Sequence, residues 1–525
     1  MRPTPIVLPL LALAAVVAGC KSQAPAVYQG EGRLVAKGPA REVIASPGGE
    51  ALAWLADPDL AKDKGHHAPD HMYLGTATFS AMGAPIVMGR EVATIPGSFF
   101  FSPTGAQVGA LTSWSFKKQV GTLVVGDVAM SRVRTVAEGV SFFAFSADGA
   151  KLGWVAEGVL WIDAADGSGD AIRIAEGIAT FDFSPDGKTV AARRRALDGG
   201  QLVVAGVAGG AQQVLGDRVA DYRWSPDGAR LAYTARNETG SADLYLETPG
   251  SAPVRVGKDV PAFRFAPKGG HLAFIGDVSP KKQFGDLFVL SAGAGAAAKI
   301  GEEVTDFDFD PTGTRIAWLN KYSPQNRGGA LTWANVAANP EKHALGPNVP
   351  SFVWSHDGAH IAFVQRQFAP IFSIDLFLAS VAGDDAATKV AQGVFGYSFS
   401  GSDARLYFRT QCTRNGRACD LRSVAVKAPE SEAITVARGI HTYEPATADE
   451  SVLLVTYART DADALDLAMV PADGSAAPHM LDQRVLAGTK IVSGKVKGVA
   501  YAVLDPARLG VYLAEVPTDF APAAR

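Results

Sequence analysis

At 525 residues the chain is too long for one ordinary domain unless it is built from repeats. Hydrophobic residues make up 47% of it, enough for a large core. A formal net charge of −4 lacks the basic surplus of nucleic-acid binders, which excludes DNA and RNA as first-choice partners.

The N-terminus carries Arg2, an apolar run from Ile6 to Val17 that is too short to span a bilayer comfortably, and the small pair Ala18-Gly19. This is the layout of an export signal. Val17-Ala18-Gly19-Cys20 resembles the bacterial lipobox, and the resemblance implies removal of residues 1–19 and acylation of Cys20. Several acyl chains hold a protein on a membrane far better than one does. Lys21, and not Asp, follows the cysteine, which in the lipobox pattern is compatible with transfer to an outer membrane. The expected location is therefore the bacterial cell envelope, on the outer membrane facing the periplasm. Residues 20–41 are small, polar and Gly-rich and are expected to be a tether between membrane and fold.

From residue 42 onward one phrase recurs, seen most clearly in Trp224-Ser225-Pro226-Asp227-Gly228 followed by Leu231-Ala232-Tyr233. Pro suits the first corner of a type I turn, Asp tolerates the second, and Gly takes the position where a side chain clashes. The phrase marks a hairpin. Earlier copies start at Ser46, Phe101, Phe145 and Phe183, and later ones at Phe265, Phe309, Trp354 and Phe399. Two degenerate units follow, around Ala448-Asp449-Glu450 and Lys490-Ile491-Val492. Most spacings are about 38 to 47 residues, the length of a four-stranded propeller blade. A further apolar run inside each unit, such as Asp243-Leu244-Tyr245 or Asp375-Leu376-Phe377, supplies the third strand.

An aromatic residue, Ser-Pro-Asp-Gly and then Leu-Ala-aromatic together resemble the TolB-type β-propeller repeat, over about residues 42 to 516. The resemblance implies an all-β propeller of ten to eleven four-stranded blades, arranged as two tandem propellers or as one enlarged ring. A tandem arrangement divides the chain into 42–260 and 261–525. Peptidases and oligogalacturonate lyases use the same blades, so fold alone does not define function.

Cys412 and Cys419 flank a loop between two expected strands and, in an exported protein, are expected to form a hairpin disulfide. His66, His67, Asp70 and His71 are weak candidates for a metal site, against the plainer reading of a solvated loop. No cofactor is expected. Gly293 to Ala298 has the spacing of a dinucleotide fingerprint, but Lys299-Ile300-Gly301 returns to a strand and opens no helix. Nucleophile elbows are absent. His271, His343, His356, His360 and His441 are the candidates for lyase chemistry, provided that they meet near an axis.

The family geometry puts the loops between second and third strands on one face, opposite the Ser-Pro-Asp-Gly turns. Those loops hold Trp114, Lys117, Lys118, Lys281, Lys282, Phe284, Tyr322, Arg327, Arg366, Phe368, Arg414 and Arg417, with few acids among them. Aromatics among cations suit a protein interface or an anionic polymer. The expected function is a lipid-anchored, non-catalytic scaffold that binds an envelope protein. A polysaccharide-binding module and a propeller-type polysaccharide lyase are the alternatives.

Overall fold

The computed structural model describes residues 30–516 except 50, 57–72, 79–85, 94, 96, 128–131, 197–199, 249, 279–283, 369–372, 383–385, 448, 460–463, 487–489 and 493–497. Cys20, the cluster His66, His67, Asp70 and His71, and Lys281 with Lys282 lie outside the described residues. Among the described residues every regular element is a strand. No helix there is long and apolar enough to cross a membrane.

The recurrent phrase builds each hairpin through its side chains. In the turn at 225–228, Ser225 Oγ donates to Asp227 Oδ1 at 2.6 Å and accepts the Arg230 N–H at 2.9 Å, while Asp227 Oδ1 also accepts the Ala229 N–H at 3.0 Å. Gly228, at φ +71, closes the turn in the left-handed region. The same three bonds recur in the turns of Ser146, Ser184 and Ser355. Each serine is buried, so the bonds satisfy backbone groups that water does not reach.

On either side of these turns the strands pair antiparallel with their sequence neighbours, as in Val219–Trp224, Leu231–Arg236, Ala242–Glu247 and Val254–Gly257. Five sheets are four-stranded units of this kind. Two seven-stranded sheets each fuse two units through one long strand, Arg132–Phe145 or Ala298–Phe309, which pairs outward with one unit by its first half and with the next by its second. An all-β chain of such sheets is consistent with a β-propeller.

The remaining sheet joins the first described strand to the last. Arg33–Lys37 pairs with Gly510–Glu515, whose other neighbour is Gly498–Val503. This corrects the expected tether of residues 20–41, which already contains this strand and the start of Ala40–Ala45. The strand went unrecognised because its pairing partner lies at the far end of the sequence.

The core consists of hydrophobic clusters lying between successive units. Phe181, Val190 and Val203 meet Val155, Leu160 and Ile162 of the unit before, and Phe263, Leu272 and Phe274 meet Ala232 and Leu244. A further cluster sets Val43, Leu52 and Trp54 against Ala500, Val511 and Leu513. In most of these contacts an aromatic residue at the end of a unit's first strand lies over a Gly or Ala in the second strand of the preceding unit. Gly153 shows why the small residue is needed, because a Cβ added there would stand 2.6 Å from the Phe181 ring and 3.2 Å from that of Phe183.

Candidate interaction surface

The expected loops emerge at the ends of second strands, and the connectors between units return to the same place. Val394 N–H donates to Ile374 O and Phe395 N–H to Arg409 O, both at 2.9 Å, so this connector is bonded to strand ends beside two such loops. Tyr322, Arg327, Phe368, Arg414 and Arg417 are exposed, and Arg366 is half-buried. Phe116, Lys117 and Lys118 are exposed on an earlier loop, and Phe284 is half-buried. Trp114 departs from expectation. It lies inside the strand Gln107–Ser115 and is buried against Leu111, Val140 and Phe143, because the irregularity at Ser113, φ +48, shifts the register and brings it onto the Leu111 face before the loop begins.

The connector 392–395 adds what the repeat pattern concealed. Pro350, Val353, Ile374, Val394, Phe395 and Tyr397 line an apolar cleft of about 390 Å³ between units 351–391 and 396–440. Phe395 is 59% exposed and Val353 37%. Tyr397 closes one wall, with its hydroxyl donating to Ser351 O at 3.0 Å, and burial pushes that phenol up to about 12. A sequence signal for this cleft existed in Val353, which stands where the matching strands carry Arg223, Arg264 and Asp308.

Charge on this surface is separated. Asp375 is paired with Lys389 at 2.7 Å and Asp420 with Arg438 at 3.2 Å, each within its own unit. Among the described residues no carboxylate pairs with Arg327, Arg366, Arg414 or Arg417. Arg366 Nε is buried without a hydrogen-bond partner there. Cys412 and Cys419 form a disulfide, as expected, and this bond fixes the base of the loop that carries Arg414 and Arg417.

Among the described residues the histidines do not assemble a centre. His343 stacks on Trp333 with centroids 4.2 Å apart, and His356 Nδ1 lies 2.9 Å from Asp403 on the turn side. Among the described residues no three His, Cys, Asp or Glu side chains converge as metal ligands.

No family model and no curated protein matches the chain. Among solved structures, a eukaryotic initiation factor is similar at 12% identity and a TM-score of 0.42, over 79% of this chain and 100% of its own. The tricorn protease is similar at 13% and 0.31, over 85% of this chain and 48% of the protease. Dipeptidyl peptidase 4 of Porphyromonas gingivalis is similar at 13% and 0.37, over 73% and 65%.

Proposed function

We propose that the chain is a non-catalytic β-propeller of the bacterial cell envelope, anchored through acylated Cys20, that binds a protein partner on its loop face around units 304–440. In this reading the blades number eleven and form one closed ring, in preference to two tandem rings divided near residue 260. Two features support a single ring: the cluster that includes Ala232, Leu244, Val260 and Phe263 runs across that point, and the contact of Val43 and Trp54 with Ala500 and Val511 joins first blade to last.

The observation that carries the binding role is the exposed apolar cleft at Phe395, whose lining residue Ile374 is paired across the strands with Arg366, a guanidinium that no described carboxylate neutralises. Interface centres combine aromatic anchors with arginine, and exposed apolar patches of this kind mark contact sites. The test places a photo-cross-linking amino acid at Phe395 and, separately, at Lys188 on the turn side. A protein adduct in native membranes from Phe395, lost in Arg327→Glu/Arg366→Glu and absent from Lys188, is expected. Equal adducts from both faces, or a protease-resistant glycan adduct, overturns the reading. Cys20→Ala is expected to move the protein from the membrane to the soluble fraction.

A further inference from the structure

The packing rule between units is inverted where units 396–440 and 442–485 meet. Phe265 packs in one cluster with Ala232, Phe309 with Ala273, Trp354 with Ala317, and Phe399 with Ala362. In each case the ring belongs to the later unit and the small residue to the earlier one. At the next interface both partners change. Pro445 pairs with Leu453 in the register that Phe399 holds with Leu406, so proline stands where the ring belongs. Tyr407 pairs with Ser398 as Ala362 pairs with Val353, so tyrosine stands where alanine belongs.

The exchange does not conserve shape. Tyr407 is buried, at 3% exposure, but its phenol comes from the opposite wall, and a cleft of about 440 Å³ remains beside Pro445, Leu453, Phe399 and Tyr443. A second cleft of about 500 Å³ continues past Tyr407 and Glu450 towards Arg405 and Asp473. Clefts also open beside ordinary pairs, as at Phe395, but this one lies where the repeat's own ring is missing. The walls are aromatic: Tyr407 and Tyr443 lie with centroids 5.9 Å apart at 54°. The rim is polar and already positioned, since Tyr443 Oη lies 2.8 Å from Ser398 Oγ, Arg409 Nη1 donates to His441 O at 3.0 Å, and Glu450 Oε2 accepts the Gly401 N–H at 2.6 Å.

From this geometry we propose that the cleft between units 396–440 and 442–485 binds a flat aromatic ring of indole size, which takes the place of the aromatic that the repeat omits. Its volume lies in the range of small-molecule sites, roughly 300 to 1,000 Å³. An offset or tilted stack on Tyr407 and Tyr443 supplies the contact, and Glu450 stands at the rim to accept an N–H or O–H. The site adjoins the cleft at Phe395, since Gly396 and Tyr397 line both, whereas Tyr407, Tyr443 and Pro445 line only this one. A free aromatic compound and an exposed tryptophan side chain share this chemistry.

Titration of the full-length protein with indole and with N-acetyltryptophanamide, followed by saturation-transfer NMR and calorimetry, tests the site and separates its two sources. Saturable binding of indole in the millimolar range or tighter is expected. At least tenfold tighter binding of the amide assigns the ring to a polypeptide, and equal or weaker binding assigns it to a free compound. Pro445→Phe refills the slot and is expected to weaken indole binding at least tenfold while raising the thermal midpoint. Crystals of the wild type soaked in 5-bromoindole provide a readout that does not depend on the variant, with the bromine expected between Tyr407 and Pro445. Absence of binding up to the solubility limit, unchanged affinity in a folded Pro445→Phe, or bromine located only elsewhere overturns the proposal.

Discussion

Asp403 accepts the backbone N–H of Asp357, which belongs to the turn of the preceding unit, at 2.8 Å, and accepts the His356 N–H at 2.9 Å with its other oxygen. It does so from a left-handed conformation, φ +55, at the turn position that Gly228 and Gly358 fill in other units. Backbone strain at one turn is thus exchanged for a link between two. Asp403→Gly is expected to relax the strain and remove the link, so that hydrogen exchange at the 356 and 357 amides accelerates about tenfold, the effect of roughly 1–2 kcal/mol. Unchanged protection at these amides contradicts the assignment.

The closing sheet contains a buried ion pair. Arg508 meets Asp482 through both guanidinium nitrogens, at 2.7 and 2.8 Å, and the Tyr501 hydroxyl donates to the same carboxylate at 3.1 Å. The hydrogen bonds and charge of Asp482 hold the guanidinium above its usual range. Gly30 and Gly32 pass directly over this group, leaving no room for a Cβ beside Asp482 or Tyr501. Arg508→Met leaves the carboxylate buried and unpaired, at a cost of about 3–5 kcal/mol. Limited proteolysis is expected to cut first in Arg33–Lys37, and Asp482→Leu/Arg508→Met to recover much of the loss.

Glu247 carries a different pH signature. It is 1% exposed, neither carboxylate oxygen has a hydrogen-bond partner among the described residues, and burial raises it above its ordinary 4.5. The folded state therefore retains a proton that the unfolded chain has released. Its stability contribution is whole below 4.5 and declines as pH rises through the elevated value. Equivalent positions hold Leu290, Ala334, Ala379 and Val424. Glu247→Leu is expected to raise the stability at neutral pH by about 1–3 kcal/mol and to flatten its decline as pH rises above 4.5. An unchanged slope would show that the carboxylate does not titrate there.

The turn carboxylates act in the opposite sense. Hydrogen bonds from Ser146, Ser184 and Ser225 hold Asp148, Asp186 and Asp227 below the ordinary 3.8. Their contribution is present above 3.8 and lost as pH falls through the depressed values. Asp227→Ala is expected to accelerate exchange at the Ala229 amide and leave cross-linking from Phe395 unchanged, because the turn and the cleft at Phe395 occupy opposite ends of the strands. Loss of the adduct in a fully stable variant would reassign the turn to binding.

How much of this was legible in the sequence follows from the range of the interactions. The turn at 225–228 is specified by residues within five positions of one another, so its recurrence announced the sheets before any contact was known. Phe395 offered no such cue, since its exposure depends on how two units meet. Trp114 was misplaced because loop edges are the least certain feature of a strand pattern. The exchange of Pro445 and Tyr407 was written in plain sight as two departures from the repeat, Pro-Ala-Thr for aromatic-Ser-Pro and Leu-Tyr-Phe for Leu-Ala-aromatic. Only the register shows that the departures face each other.

The pairing of Arg33–Lys37 with Gly510–Glu515 also sets an order of assembly. A ribosome makes this strand before its partner, so the strand waits through the synthesis of all the intervening sheets. Pairings so distant in sequence are slow to form, and an edge left open in the meantime is a template for other chains. Chaperone demand during biogenesis should therefore fall on the two ends, while the middle units, whose contacts are local, fold as they appear.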